Sequence, residues 1–180
     1  MSRAFTGKGD TGETGIWGGE RLSKSDPLIN AVGIIDEANA CLGLTASFAK
    51  DPQILEALAY LQNVLFTAGA EVSSLYSTTN KSQTISQDHI GKIEAFIELF
   101  DSDLPQLKAF ILPSGSAAVT SMHLARTVVR RAERAVVGTK IKDAGLLIKF
   151  LNRVSSLLFV MARYLNQKEG SSEQYPSYGA

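Results

Sequence analysis

The stretch SGSAAVTSMHLARTVVRRAERAVVG, Ser114 to Gly138, carries one apolar stripe along its length: Ala118, Met122, Ala125, Val129, Ala132 and Val136 recur at alternating steps of four and three. At ~100° per residue these positions share one narrow helix face, so the stretch predicts a helix with a single buried side. It starts near Ser114 or Gly115 and runs to about Val137, where Gly138 ends it. The next segment, about Lys140 to Gln167, repeats the pattern with Ala144, Leu147, Leu151, Val154, Leu158, Met161 and Leu165, the spacing of a coiled-coil seam. Two such stripes need further helices to cover them. Upstream, Asp26 caps and Pro27 opens a helix whose apolar positions are Leu28, Ala31, Val32, Ile35, Ala38 and Leu42. A second helix is predicted from about Pro52 to Tyr76 on Leu55, Leu58, Leu61, Leu65 and Ala68, and a third over about Ser86 to Phe100. Ser77 to Thr84 is a polar connection, and Pro105 and Pro113 bracket a short apolar run ending in Phe110, Ile111 and Leu112. No alternating apolar run supports a sheet. The expected fold is all-α, an up-down, four-helix-bundle-like assembly of five helices.

Composition agrees with a single core. The chain has 180 residues, 44% of them apolar, with 18 basic and 18 acidic side chains. That excludes disorder and argues against a bulk nucleic-acid binder. The single cysteine, Cys41, forms no internal disulfide, and no unbroken apolar run approaches the ~18 residues of a membrane span. A cytoplasmic protein without a membrane segment or nucleic-acid partner is expected. Residues 1–25 form a glycine-rich loop with six glycines between Gly7 and Gly19, residues 26–167 the bundle, and residues 168–180 a flexible tail.

On the fourth helix, Arg126, Arg130 and Glu133 fall at roughly 80°, 120° and 60° from the core stripe, one shoulder beside the core. Arginines there bury their stems and present planar forks that suit phosphate or carboxylate, although a run such as Arg130-Arg131-Ala132-Glu133-Arg134, taken alone, is more often a solvated face with intrahelical ion pairs. On the first helix, Gly33, Asp36, Ala40 and Gly43 share a side where another helix or a ligand can come close. Asp36 is a natural partner for a shoulder arginine, within one subunit or across an interface. Asn39 projects into the apolar stripe and requires a buried partner.

The N-terminal Thr6-Gly7-Lys8-Gly9-Asp10-Thr11-Gly12-Glu13-Thr14 can wrap phosphates with backbone N–H groups, but lacks the spacing of a Walker loop. His89 and His123 lack the Glu-x-x-His pattern of a di-iron bundle and read as helix-surface residues. No Cys/His cluster suggests zinc and no Gly-x-Ser-x-Gly a serine hydrolase, so no metal ligands are assigned.

Together these blocks resemble the PduO-type family of ATP:cob(I)alamin adenosyltransferases. The resemblance runs in order through Thr6 to Thr14, Lys24, the Gly33-x-x-Asp36-Glu37-x-Asn39 block, and Phe110-Ile111-Leu112-Pro113. It continues through His123-Leu124-Ala125-Arg126, Arg130 to Arg134, and Leu151-Asn152-Arg153 with Phe159, Ala162 and Arg163. It implies a homotrimeric five-helix bundle with ATP held between subunits and the corrin beside it. The implied reaction transfers the 5′-deoxyadenosyl group of ATP to the cobalt of cob(I)alamin, releasing triphosphate with magnesium assisting. Since the cobalt is the nucleophile, the chain needs none of its own. By resemblance, Thr6, Gly9, Asp10, Gly12, Thr14 and Lys24 cradle the triphosphate. Arg126 and Arg130 face it with Glu133 beside them, Asn152 contacts the nucleotide, and Asp36 pairs with Arg126 across the interface. Phe110 corresponds to the aromatic that displaces the lower axial ligand of the corrin.

The sequence departs from the family pattern at Gly7, where a lysine or arginine is usual, at Leu28, where an arginine is usual, and at Ser156, where an aspartate is common. The competing reading is a non-catalytic bundle that binds ATP or adenosylcobalamin and delivers it. Transient contact with a flavoprotein reductase and an adenosylcobalamin-dependent enzyme is expected.

Overall fold

The computed structural model describes residues 6–16, 18–75, 82–140 and 144–178. Five helices follow a short ribbon: β1 (Glu13–Gly15), β2 (Arg21–Ser23), α1 (Pro27–Phe48), α2 (Pro52–Ser74), α3 (Gln87–Asp101), α4 (Ala117–Gly138) and α5 (Gly145–Lys168). The helix starts are set by local chemistry. Asp26 accepts from the Leu28 N–H at 2.8 Å with Pro27 behind it, and Asp51 accepts from the N–H groups of Gln53 and Ile54 before Pro52 opens α2. Ser86 and His89 close a reciprocal cap on α3, the Ser86 N–H donating to His89 Nδ1 at 3.0 Å. His89 is thus a capping residue, not an idle surface one.

The helices alternate in direction. Asn39 and Gln62 exchange side-chain to backbone bonds between antiparallel α1 and α2. Asn152 near the start of α5 meets Glu133 near the end of α4, while Asn166 near the end of α5 donates to the Ser114 carbonyl before α4. α1 packs on α2 and α4, α4 on α5, and α5 on α3. The edge-on rings of Tyr60 and Phe96 join α2 to α3.

All six stripe positions of α4 and all seven of α5 are buried. α5 is long and apolar enough to cross a membrane by length and composition, yet it is the most enclosed helix of the bundle, burying Phe150, Leu157 and Val160 besides its stripe. On α2 the buried face runs through Ile54 rather than Leu55, which is 36% exposed. The stripe continues Ile54, Leu58, Leu61, so the correct phase begins one residue earlier.

The glycine-rich segment is not wholly a loop. β1 and β2 pair antiparallel with Thr14 opposite Leu22, and Gly18 and Gly19 take positive φ in the turn between them. Three residues per strand fall below the length at which alternation is legible. Ile16 is buried and Leu22 packs against the core, fastening the ribbon to the bundle. Of the chain after α5, expected as a flexible tail, Glu173 meets Arg163 at 2.6 Å and the Gln174 carbonyl accepts from the Leu112 N–H at 2.7 Å. Part of the expected connection at Ser77 to Thr84 and of the link before α5 lies outside the described residues.

Candidate functional site

The seam between α4 and α5 carries the shoulder expected from sequence. At its α1-start end a cleft of about 300 Å³ is lined by Arg130, Glu133, Arg134, Val137 and Asn152. Asn152 Nδ2 donates to Glu133 Oε1 at 3.3 Å, and Arg153 donates to Asn152 Oδ1 at 3.3 Å and to Glu94 at 2.9 Å, so the amide is oriented from both sides.

The arginines differ in how they are neutralised. Arg21, Arg131, Arg153 and Arg163 each pair with a carboxylate: Glu13, Glu37, Glu94 and Glu173 respectively. Among the described residues no carboxylate pairs with Arg126 or Arg130. Burial and the neighbouring Arg130 charge hold Arg126 below its ordinary value, and its Nε is buried without a partner. Two adjacent guanidinium groups, one desolvated and neither paired with a carboxylate among the described residues, form an arrangement that can bind an anion.

One turn before Arg126 on the same face lies His123, which is 4% exposed, not a surface residue. Its ring meets that of Phe159 edge-on at 6.2 Å and neither nitrogen has a partner. Burial, then the Arg126 charge, push its pKa down and keep the ring neutral. Its burial depends on how α5 packs, which the spacing along α4 does not carry.

The N-terminal segment enters the bundle at the start of α1, the same end as this cleft. Gly7 and Gly12 hold positive φ in two successive turns, closed by the Asp10 N–H to Gly7 carbonyl and Gly12 N–H to Gly9 carbonyl bonds. A Cβ built on Gly9 would stand 3.2 Å from Lys24 Nζ, so the lysine lies over the loop, and its N–H donates to the Gly12 carbonyl at 2.8 Å. The structure thus brings Gly9, Gly12 and Lys24 together, with exposed Thr6 and Asp10 beside them. Thr14 is drawn into β1.

Asp36 sits elsewhere. It lines a groove of about 360 Å³ between α1 and α2 with Gly33, Asn39, Phe66 and Gly69, and makes no ion pair with Arg126 inside the chain. Its neighbour Glu37 faces α4 and pairs with Arg131. Asn39 is satisfied only in part: Nδ2 donates to the Gln62 carbonyl at 3.3 Å while Oδ1 is buried and unpaired. Phe110 lies at the far end of the seam, on the loop between α3 and α4, and is 83% exposed.

The family model for cobalamin adenosyltransferase matches residues 4–165. The chain belongs to this family. A corrinoid adenosyltransferase of Mycobacterium tuberculosis is 38% identical over 173 residues, covering 92% of this chain and 90% of that protein. The corrinoid adenosyltransferase PduO of Citrobacter freundii is 39% identical over 162 residues, covering 88% of this chain and 48% of that longer protein. Among solved structures, a phenylalanine-to-alanine variant of a PduO-type ATP:corrinoid adenosyltransferase from Lactobacillus reuteri, complexed with cobalamin and ATP, superposes with a TM-score of 0.88 at 30% identity, covering 96% of this chain and 99% of that one.

Within this cobalamin adenosyltransferase the departures have distinct structural meanings. Leu28 is fully buried, so that position belongs to the core here and offers no polar contact. Ser156 is exposed, its hydroxyl turned back onto the Asn152 carbonyl. Gly7 supplies a left-handed turn that a lysine would adopt only with strain.

Proposed function

We propose that this chain transfers the 5′-deoxyadenosyl group of ATP to the cobalt of cob(I)alamin and releases triphosphate. The observation that carries the reading is the pair Arg126 and Arg130, without a carboxylate partner among the described residues, where Arg21, Arg131, Arg153 and Arg163 are each matched to one and Arg134 turns back onto the Arg130 carbonyl. The leaving group carries several negative charges, and fixed guanidinium forks stabilise them without reorganisation. Asn152, held by Glu133 and Arg153, positions the nucleotide. Thr6, Gly9, Asp10, Gly12, Thr14 and Lys24 close over the phosphates from the ribbon. Among the described residues no three His, Cys, Asp or Glu cluster as a metal site. Magnesium brought in with the nucleotide would offset the charge of the leaving triphosphate, and Asp10 and Glu133 are the carboxylates of these segments that would hold it.

Asp36 lines the groove between α1 and α2 and makes no ion pair with Arg126 within one protomer, which supports their pairing between protomers and the assembly as a homotrimer. The groove around Gly33, Asp36 and Gly69 then receives the neighbouring subunit, which also gives the exposed Phe66 a place to bury. Phe110 serves the lower face of the corrin, where an apolar ring displaces the axial ligand and keeps water out. The setting is cytoplasmic, with a flavoprotein reductase and an adenosylcobalamin-dependent enzyme as transient partners.

Incubation of the purified protein with ATP, magnesium and chemically reduced cobalamin, followed by the corrin spectrum, tests the activity. Formation of the cobalt–carbon bond is expected. Binding of both substrates without that bond would favour the delivery module instead.

A further inference from the structure

We propose that Arg163 is the positioning residue for Phe110, acting through a three-way tie between α5, the loop carrying Phe110 and the chain segment after α5. The inference rests on the reading of Phe110 given above. At 83% exposed, Phe110 is not held by packing, and its place is that of the backbone carrying it. That backbone, between α3 and α4, is neither helix nor strand, so its fastenings decide where the ring stands.

Those fastenings converge on one guanidinium. Arg163 Nη2 donates to the Pro105 carbonyl at 2.6 Å, near the start of the loop. Its Nε donates to Glu173 Oε1 at 2.6 Å, and the carbonyl of the next residue, Gln174, accepts from the Leu112 N–H at 2.7 Å, two residues after Phe110. Arg163 therefore holds one side of the loop directly and the other through Glu173. The side chain is 5% exposed and that of Glu173 17%, so the bond is shielded from competing water. Among the described residues the other carboxylate paired with it is Asp101, at the longer distance of 3.9 Å. A cleft of about 370 Å³ lined by Pro105, Arg163, Glu173 and Tyr175 opens between the loop and the segment after α5, beside these bonds. A lysine cannot reproduce the tie, since only the guanidinium fork sends rigid N–H groups to two acceptors at once. On α5, Arg163 also follows Asn152 and Phe159 at helical spacing, so one face carries the residues of the seam and the anchor of its far end.

The test compares cobalamin with cobinamide, a corrinoid without the lower ligand, for the full chain and its Phe110→Ala, Glu173→Ala and doubly substituted forms. Glu173→Ala is expected to lower kcat with cobalamin about tenfold, to change it less than about twofold with cobinamide, and to leave the KM for ATP unchanged. In the Phe110→Ala background the same substitution is expected to add almost nothing, because both act through one ring. Equal losses on the two corrinoids, no loss at all, or a full further loss in the double variant would overturn the tie. Phe110→Ala indifferent to the lower ligand would instead overturn the reading of Phe110 itself, a separable failure. If Glu173→Ala does not fold, Arg163→Lys, which keeps the charge and one bond, is judged by the same comparison.

Discussion

Arg130 and Arg131 are adjacent in sequence and opposite in role. Arg131 is tied to Glu37 on α1, whereas the guanidinium of Arg130 is open to the cleft. Arg130→Ala is expected to depress turnover by about two to three orders of magnitude, as for loss of a transition-state donor, with little change in melting temperature. Steady-state kinetics beside thermal unfolding check this; near-normal turnover would remove Arg130 from the site.

His123 makes a prediction of the opposite kind. Its pKa lies below the ordinary 6.5 because of burial and Arg126, so as pH falls the unfolded chain takes up the proton first. Its contribution is present above about pH 6.5 and is lost as pH falls from there toward the folded value. Replacing His123 by Leu should flatten the melting temperature across that window. Glu71 has the reverse sign. Burial raises its pKa above 4.5, against the 2.7 Å bond from the Ile85 N–H, so the fold binds the proton more tightly and loses stability as pH rises through the folded value. Glu71→Gln, which keeps an acceptor for Ile85, should melt higher than the parent at neutral pH, and the gap should close near pH 4.5.

At the scale of elements, α4 depends on how it is entered. Gly115 has φ +137, and a Cβ there would collide with Asn166 Oδ1 and Val119. Asn166 in turn donates to the Ser114 carbonyl at 3.1 Å, so the α4 entry and the end of α5 are one joint. Gly115→Ala should cost about 1–3 kcal/mol, read as a lower denaturant midpoint at unchanged slope. The stripes of α4 and α5 are legible in the amino-acid sequence because a period of 3.6 repeats over six or more positions. The two-stranded ribbon is hidden there because three residues carry no period. On α2 the spacing 54, 58, 61 and the spacing 55, 58, 61 are both helical, and only the packed neighbours choose Ile54 over Leu55.

At the scale of the whole molecule, the issue is where Asp36 finds its partner. A charge reversal, Asp36→Arg, should break the proposed assembly into smaller species on sedimentation and abolish turnover. Combining it with Arg126→Glu should restore the larger species, because the attraction is rebuilt with its ends exchanged. Asp36→Arg that sediments and turns over like the parent would reject a contact between protomers.

The amino-acid sequence by itself determined five helices, the cap at Asp26, the core stripes of α4 and α5, and the shoulder of Arg126, Arg130 and Glu133, because each is a local or periodic property of consecutive residues. Tertiary packing alone decided which arginines are neutralised, that His123 is buried, that Asp36 and Arg126 make no ion pair within the chain, and that Arg163 ties Pro105 to Glu173. Those facts join residues from separate helices, and pairing across helices depends on the rotation and direction of each element, which a one-dimensional pattern does not carry.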